Sequence, residues 1–353
     1  MDTEQAPDDV AEGTGRMSMI KEILWFGVST AIIAGMIYFA GVNEFIDAIV
    51  KADHLLLIPA AIFGLSTGVI WAFSWYRIFQ KVGIPATFMQ SVKLHYAGAF
   101  LNNVTPLGQL GGEPFMAYIV SSNTDASYEK AFSAILSADI INSLPAFTFI
   151  FGGAVYVLFF HSIQDIIIEL LYLAFTVVVV GGTLIYLLWF EAGSIEGGII
   201  RLLNWLSGKL GRGERLVDKA TERLKRFEES IGEVGEDKPY LIKTLMMIHA
   251  GFILEVLTLY MVLQALGIDP LLSNLYFILP LADIANNSPT PGGSGTYEAA
   301  MAWLITQLTP AGTIPGGGGI AVFAALLYRL FTYWPITLIG YFSLQYVRRG
   351  GYE

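Results

Sequence analysis

Two short phrases of the sequence combine polar side chains with helix breakers inside long apolar stretches. The first phrase runs from Asn102 to Glu113 and contains Pro106 and a Gly-Gly pair, and the second runs from Asn286 to Glu298 in a similar order. Backbone groups freed by Pro and Gly find no water in lipid, so each phrase must be buried in protein or line a wet cavity. Opposed helix ends at such a place would direct N–H groups and carbonyls at one cavity, where a phosphate can bind a helix N-terminus.

The same residue types also have a purely structural interpretation. Pro stops a helix, Gly permits a positive φ, and Asn caps the freed helix ends. Glu113 and Glu298 are then either first-turn carboxylates that satisfy local N–H groups or groups that titrate during function. Both interpretations predict a chain that breaks and turns at each phrase.

Charged residues at membrane depth favour the functional interpretation. Asp139, Glu255 and Asp283 join the two glutamates, whereas Arg329 is the one fixed cation in these apolar runs. Five acids cannot all pair with one cation, so the surplus carboxyls either take protons or lie along a wet path, and both states suit proton or cation coupling. Arg329 is expected to anchor an anionic headgroup or to be the counter-ion of Glu255 or Asp283.

Histidine and tryptophan carry less weight at this level. His95 opens the first broken segment, and no spacing typical of a metal site or a serine nucleophile is present. The tryptophans are expected in interface belts and in packing rather than in a ligand cage: Trp25, Trp71, Trp75, Trp189, Trp303 and Trp334. We therefore predict no catalytic residue, no metal and no cofactor.

Composition places these phrases in a multi-pass membrane protein. Of the 353 residues, 54% are hydrophobic and 14% charged, against roughly 25% charged in soluble domains. The absence of cysteine excludes disulfides and thiolate chemistry. Six apolar runs are long enough to cross a hydrocarbon core of about 20 helical residues: residues 20–42, 55–79, 131–158, 166–190, 240–266 and 319–347.

The positions of Lys and Arg predict the topology. All of the 20 basic residues except Lys51 and Arg329 fall on one side if both termini are cytoplasmic. The first phrase then lies in a re-entrant hairpin (94–121) that enters from the cytoplasm, and the second in a hairpin (274–309) that enters from outside. Two halves of opposite orientation form an inverted repeat, as in secondary transporters.

These boundaries define the predicted organisation. A disordered acidic tail (1–15) precedes a first membrane repeat (16–160) and a second repeat (161–347), and a cytoplasmic tail (348–353) ends the chain. An amphipathic cytoplasmic loop (191–238) interrupts the second repeat and is expected to be a solvated linker. The fold class is all-α, with six transmembrane helices and two re-entrant hairpins in the cell membrane.

The motifs resemble those of the lysylphosphatidylglycerol synthase transmembrane-region family, a flippase-like family of UPF0104 type. The resemblance covers about residues 20–347. Its elements are Asn102-x-x-x-Pro106 with Gly111-Gly112-Glu113, Pro289-x-Pro291-Gly292-Gly293-x-Gly295-x-x-Glu298, and Arg329 followed by Tyr333-Trp334-Pro335. Two departures stand out: Met116 occupies a place that is commonly basic in the family, and an arginine expected near Asp139 is missing.

The resemblance implies a protein that moves or handles anionic lipids. In bacterial multiple peptide resistance factors this region flips aminoacylated phosphatidylglycerol, and archaeal relatives are associated with polyisoprenyl-phosphate sugar carriers. Such proteins often carry a soluble aminoacyl-transfer or glycosyltransferase domain. The 353 residues contain neither, so we expect no synthase activity.

The resulting prediction is a lipid flippase or transporter in which the two hairpins meet near the midplane. A membrane-embedded enzyme acting on a lipid phosphate, or an assembly protein, remains the alternative. Anionic membrane lipids are the expected partners and nucleic acid is not, whereas a homo-oligomer is left open. The predicted site comprises Asn102, Asn103, Pro106, Gly111, Gly112, Glu113, Asp139, Glu255, Asp283, Asn286, Asn287, Pro289, Pro291, Gly292, Gly293, Gly295, Glu298 and Arg329.

Overall fold

A computed structural model describes residues 19–105, 109–160 and 237–349, with a few positions between 172 and 183. These residues form helices and turns and contain no strand, which confirms the all-α prediction. The helices are α1 (Met19–Ala40), α2 (Val42–Lys51), α3 (His54–Lys81), α4 (Phe88–Val104), α5 (Gln109–Ser122), α6 (Tyr128–Phe160), α7 (Lys238–Ala265), α8 (Leu272–Ile284), α9 (Thr296–Leu308), α10 (Gly317–Thr332) and α11 (Trp334–Arg348).

Four helical stretches in the described residues are long and apolar enough to cross a membrane. They are His54–Lys81, Tyr128–Val155, Lys238–Ala265 and Gly317–Arg348, of 28 to 32 residues each. Each exceeds the roughly 20 residues that a hydrocarbon core requires. Four of the six predicted spans therefore fall on such helices, and the protein is a multi-pass membrane protein.

The first predicted span differs in shape from a straight helix. α1 ends at Ala40, Gly41 has a φ of +104°, and the axis turns by 89° into α2. Together the two helices count as a fifth candidate span. The predicted run 166–190 lies almost wholly outside the described residues, as do nearly all of the loop 191–238 and the whole tail 1–15.

Each polar phrase lies where one short helix ends and the next begins. A capping box between Thr87 and Gln90 begins α4, and the helix ends at Val104, just before Pro106. In the second half, α8 and α9 are separated by two 3-10 turns, Ala285–Asn287 and Pro291–Gly293. The helix pairs α4–α5 and α8–α9, which we call the first and second hairpin, match the predicted breaks.

Long helices pack around these hairpins and hold them in place. α3 packs along α7, where Arg77 Nε donates to Thr244 Oγ1 at 2.9 Å and the guanidinium lies 4.4 Å from the Tyr240 ring centroid. α11 packs on α4, while α8 packs on α6 and α9 on α10. Gly340 permits the close contact between α11 and α4, because a Cβ there would overlap the Tyr96 carbonyl. The hairpins are thus enclosed by helices from both halves of the chain.

Candidate functional site

The tip of the second hairpin has a backbone that only glycine accommodates well. Gly292, Gly293 and Gly295 have φ values of +52°, +66° and +86°, in the left-handed region that penalises a Cβ. Glu298 then closes the start of α9, because its Oε2 accepts from the Gly295 N–H at 2.6 Å. The carboxylate therefore satisfies a backbone donor that the break leaves open.

Arg329 of α10 fixes this tip through an ion pair and a backbone contact. Its Nη1 lies 2.8 Å from Glu298 Oε1, and its Nη2 donates to the Gly292 carbonyl at 2.7 Å. The Arg329 and Glu298 side chains are only 4% and 1% exposed. The guanidinium also lies 3.7 Å from the Tyr333 ring centroid and 4.7 Å from that of Tyr297. We call this group of residues, with Gly295, the arginine clamp.

The clamp corrects the expected counter-ion of Arg329. The sequence suggested an anchor for an anionic headgroup, or else a counter-ion of Glu255 or Asp283. The structure instead pairs it with Glu298, 31 residues earlier in the chain. Two of its donors are used, and tyrosine rings lie close to the guanidinium group.

The first hairpin has a similar close approach between its two helices. A Cβ on Gly112 would overlap the Asn102 side-chain amide, just as a Cβ on Gly293 would lie 2.7 Å from the Asn286 Cα. In both hairpins, therefore, the first residue of the Asn-Asn pair packs on the second residue of the Gly-Gly pair. Pro106 lies outside the described residues.

The tips of the two hairpins lie against each other. The Tyr333 hydroxyl donates to the Asn103 carbonyl at 3.2 Å, and Asn103 Nδ2 donates to Thr337 Oγ1 at 2.7 Å. A Cβ on Gly292 would come within 2.8 Å of the same Asn103 carbonyl. Tyr333 lies between the end of α10 and the start of α11, where Pro335 occupies the first turn of α11. Residues from both phrases thus form one contact.

A cavity of about 510 Å³ lies beside this contact. Its lining includes eight of the predicted site residues, contributed by both hairpins and by α6, α7 and α10. These are Asn102, Asn103, Asp139, Glu255, Asp283, Asn286, Gly292 and Arg329. The structure brings these distant parts of the sequence to one place.

The other predicted residues that the structure describes shape the tips instead of lining the cavity. Glu298, Gly293 and Pro291 are buried within the second tip, and Gly295 begins α9. Pro289 lies between the two 3-10 turns, where Asn287 ends the first of them. Gly111 and Gly112 lie in the first turn of α5. Glu113 follows them, half-buried, and has no ion-pair partner among the described residues.

Two of the cavity carboxyls have hydrogen-bond donors. Trp71 Nε1 donates to Glu255 Oε1 at 3.2 Å, and Asn286 Nδ2 donates to Asp283 Oδ1 at 3.3 Å. Of the described residues that line the cavity, Arg329 alone is a lysine or arginine. The cavity is therefore rich in hydrogen-bond acceptors.

Three buried polar atoms that belong to cavity-lining residues lack hydrogen-bond partners among the described residues. They are His95 Nδ1, Asn102 Oδ1 and Asp139 Oδ2. Buried polar atoms are nearly always paired, with protein, water or a ligand. All three atoms are shielded from solvent, and Asn102 Oδ1 lies against Gly112 between the helices of the first hairpin.

Sequence reasoning missed several cavity residues. Trp75 is buried and contacts the His95 ring edge-to-face at 5.2 Å, which fits the expected packing role, whereas Trp71 lines the cavity and bonds to Glu255. The spacing held a signal, since His95 is seven residues before Asn102 on α4 and the two tryptophans are four apart on α3. Both spacings place side chains on one helix face.

Helices of spanning length around a polar cavity, enclosed by two broken helix pairs, define a multi-pass membrane protein with an internal site. Residues 26–340 match the family model described as the lysylphosphatidylglycerol synthase TM region. The chain belongs to this family. No solved structure matches it.

Relatives of similar length support this assignment. The chain is 25% identical over 328 residues to a UPF0104 membrane protein of Methanothermobacter thermautotrophicus, covering 90% of this chain and 93% of the relative. It is 27% identical over 336 residues to a UPF0104 membrane protein of Archaeoglobus fulgidus, covering 90% and 94%. A Pyrococcus horikoshii UPF0104 membrane protein is 22% identical over 326 residues, covering 91% and 96%.

Proposed function

We propose that the protein is a lipid transporter of the flippase type, which moves a phosphate-bearing lipid between leaflets. The headgroup would pass through the cavity between the two hairpins while the acyl or prenyl chain stays in the bilayer. The proposal includes no covalent chemistry, so the protein would not be an enzyme. It rests on one observation: a polar cavity lined by both broken helix pairs, in a protein whose other helices suit a membrane.

The size and lining of the cavity suit a headgroup. Its 510 Å³ lies in the range of small-molecule sites, which run from about 300 to 1,000 Å³. Asn102 and Asn103 come from one hairpin and Asn286 and Gly292 from the other, so movement of either hairpin would change the cavity. Irregular backbone at membrane depth is typical of transporter binding sites.

Charge balance constrains how an anionic lipid would bind. If Asp139, Glu255 and Asp283 were all ionised, they would repel a phosphate, because Arg329 is the one lysine or arginine among the described lining residues. A phosphate would therefore bind at the Arg329 end, after the guanidinium exchanges part of its contact with Glu298. Protons or a co-transported cation would neutralise the carboxyls, which couples lipid movement to an ion.

An inverted repeat with six spans and cytoplasmic termini would give this mechanism its two access states. The matching contacts of Asn102 with Gly112 and of Asn286 with Gly293 support equivalent hairpins. We propose that they enter from opposite faces, so that rocking one repeat against the other exposes the cavity to each leaflet in turn. In this arrangement the cell membrane is the site of action.

Reconstitution into liposomes tests the function. Full-length protein would be incorporated with acyl-labelled phospholipids or a labelled polyprenyl-phosphate analogue, and lipid in the outer leaflet would be followed by chemical quenching. We expect translocation that falls at least about tenfold in Arg329→Ala, since the headgroup contact is lost. Wild-type vesicles that translocate none of these lipids would refute the proposal, and a chemically altered lipid would indicate an enzyme instead.

Single-cysteine labelling tests the topology. The chain has no cysteine, so a thiol at position 315 or 125 is the sole target of a membrane-impermeant maleimide. We expect labelling of intact cells at 315 and protection at 125. Labelling at both positions from one side would exclude opposed hairpins and leave the transport assay as an independent test.

A further inference from the structure

We propose that α2 (Val42–Lys51) is a helix of the membrane interface, which lies in the plane of the bilayer with one face among the lipids and another in water. Its partner is the bilayer surface at the level where the spanning helix α3 begins. The bend before α2, the three faces of the helix and its position against the spanning helices support this placement. It depends on the membrane fold and not on lipid transport, so each can fail without the other.

The chain turns sharply between α1 and α2. α1 has 22 residues, more than the roughly 20 that a hydrocarbon core requires, so by length the crossing needs no residue of α2. The axis then turns by 89° at Gly41, whose φ of +104° favours glycine. A helix at a right angle to one of spanning length runs along the membrane plane.

One face of α2 is apolar and exposed. Val42, Ile46 and Val50 are 44%, 52% and 69% exposed. Residues four apart lie above one another on a helix, so these three form a continuous row, which we call the apolar stripe. Such a row is costly in water, where each side chain would lose the benefit of burial.

The neighbouring face of α2 is polar and exposed. It carries Asn43, Glu44, Asp47 and Lys51, and Lys51 Nζ lies 2.9 Å from Asp47 Oδ2. At 100° per residue this polar face begins beside the apolar stripe and covers about 100° of the helix surface. Three charged residues within ten are costly in the hydrocarbon core, so α2 does not continue the span of α1.

The third face of α2 packs on the protein. Phe45, Ala48 and Ile49 are half-buried there, and the Phe45 ring contacts the buried Phe323 ring of α10 edge-to-face at 5.1 Å. Phe323 is six residues after the start of α10 at Gly317. The helix therefore lies against the bundle near one end of a spanning stretch.

The turn that follows α2 is level with the ends of two other spanning helices. Asp53 Oδ1 accepts from the Leu55 N–H at 2.9 Å and caps the start of α3. The Asp53 N–H donates to the carbonyl of Ala265, the last residue of α7, at 2.9 Å. Spanning helices begin and end at the interface, so α2 lies at the bilayer surface.

The bilayer interface is the surrounding that satisfies all three faces at once. Amphipathic helices in this zone bury their apolar face at the boundary of headgroups and acyl chains and keep their polar face in water. Glu44 and Asp47 outnumber Lys51 on the polar face, so α2 offers no net positive charge to anionic lipid. Apolar burial would therefore hold the helix in place, whatever the charge of the headgroups.

Single cysteines test this placement, because the chain contains no cysteine of its own. The variants Val42→Cys, Ile46→Cys and Val50→Cys label the apolar stripe with bimane, and Asn43→Cys is the matched control on the polar face. Full-length protein would be placed in nanodiscs that hold one copy. Quenching by brominated acyl chains measures contact with lipid, and quenching by iodide measures contact with water.

We expect bromolipid quenching along the apolar stripe, with labels about 5–10 Å inside the boundary of headgroups and acyl chains. Iodide should quench Asn43→Cys at least about threefold more strongly than Ile46→Cys, since only the polar face meets water. Ile62→Cys is the depth control: it is exposed on α3, eight residues or about 12 Å of helix after His54, and should be quenched nearer the bilayer centre. Exchange of phosphatidylcholine for phosphatidylglycerol should leave these values unchanged.

Three results would overturn the placement. Equal iodide quenching of the apolar stripe and Asn43→Cys would place α2 in water, and equal bromolipid quenching of both at the depth of Ile62→Cys would make it part of a span. Labels shielded from both quenchers in multi-copy vesicles, but open to iodide in one-copy nanodiscs, would show that a second copy of the chain covers the stripe. If one stripe variant fails to fold, the other two decide the question.

Discussion

The two hairpins carry nearly the same phrase, but their glutamates differ in burial and in ion pairing. Glu298 is buried, caps α9 and pairs with Arg329. Glu113 is half-buried and has no ion-pair partner among the described residues. The second hairpin is thus held at its tip by a buried ion pair, whereas no ion pair with a described residue holds the first.

The source of the difference is the neighbouring helix and not the phrase. Arg329 reaches the second tip from α10, while the residue three places after Glu113 is Met116, which is buried beside Gly98. Asn102 and Asp139, near this unpaired tip, also retain unpaired oxygens. The repeated motif therefore gives the backbone a similar turn twice. Whether its glutamate forms an ion pair depends on whether a neighbouring helix places an arginine beside it.

The largest expected difference is in the effect of glutamate neutralisation on stability. Glu298→Gln leaves a buried guanidinium without its counter-ion, which should lower the free energy of unfolding by about 3 kcal/mol. Glu113→Gln should lower it by less than about 1 kcal/mol, since no ion pair with a described residue is broken. Denaturing-detergent titration of the purified protein measures both.

The control for the ion pair is the double variant Glu298→Met with Arg329→Met. Replacing both partners by apolar side chains should restore part of the stability lost in either single variant. Equal losses of unfolding free energy in Glu298→Gln and Glu113→Gln would show that the ion pair does not distinguish the two hairpins.

The glycines give the next largest contrast. Gly292→Ala forces a Cβ into a left-handed backbone and onto the Tyr333 hydroxyl and the Asn103 carbonyl, which should destabilise the protein by about 2 kcal/mol. Gly112→Ala lies in a helix and meets mainly the Asn102 side chain, so the loss should stay below about 1 kcal/mol. The same denaturing-detergent titration measures both stability losses. A larger loss for Gly112→Ala than for Gly292→Ala would contradict the expected order.

A smaller effect is expected where the two hairpins join. Tyr333→Phe removes the hydroxyl that donates to the Asn103 carbonyl at 3.2 Å but keeps the ring beside Arg329. Loss of one such bond should reduce stability by about 1 kcal/mol. Ser66→Ala is a control, because its hydroxyl bonds only within α3, to Ile62. Equal effects would show that the bond between hairpins adds nothing.

The smallest effect is expected at a partly exposed ion pair, that of Lys81 with Asp237. The Tyr240 backbone N–H and then Lys81, 3.0 Å away, hold the pKa of Asp237 below its ordinary value. A lowered folded pKa contributes stability above the ordinary Asp pKa of about 3.9, and this contribution is lost as the pH falls through the folded value. Asp237→Asn should therefore show a slightly weaker fall in melting temperature between pH 6 and pH 3 than wild type. An identical fall in both would exclude the contribution.

The sequence correctly indicated the membrane fold and the two breaks, and it named the four charged residues of the cavity lining. Pro and Gly act on the adjacent backbone, and apolar length acts through the bilayer, so both effects can be read from neighbouring residues. The pairing of Arg329 with Glu298 was missed, because a contact across 31 residues depends on how α10 lies against the tip. The inward position of His95 was missed for the same reason, since only packing decides which helix face meets the cavity.

The sequence alone determined that this is a helical membrane protein with a doubled polar break, because hydrophobic length and helix-breaking residues act locally. Only the tertiary structure decided that Glu298 pairs with Arg329, while Glu113 has no ion-pair partner among the described residues. Ion pairs and cavities form between segments distant in the chain. Their identity therefore depends on the geometry of helix packing, which the repeated phrase does not contain.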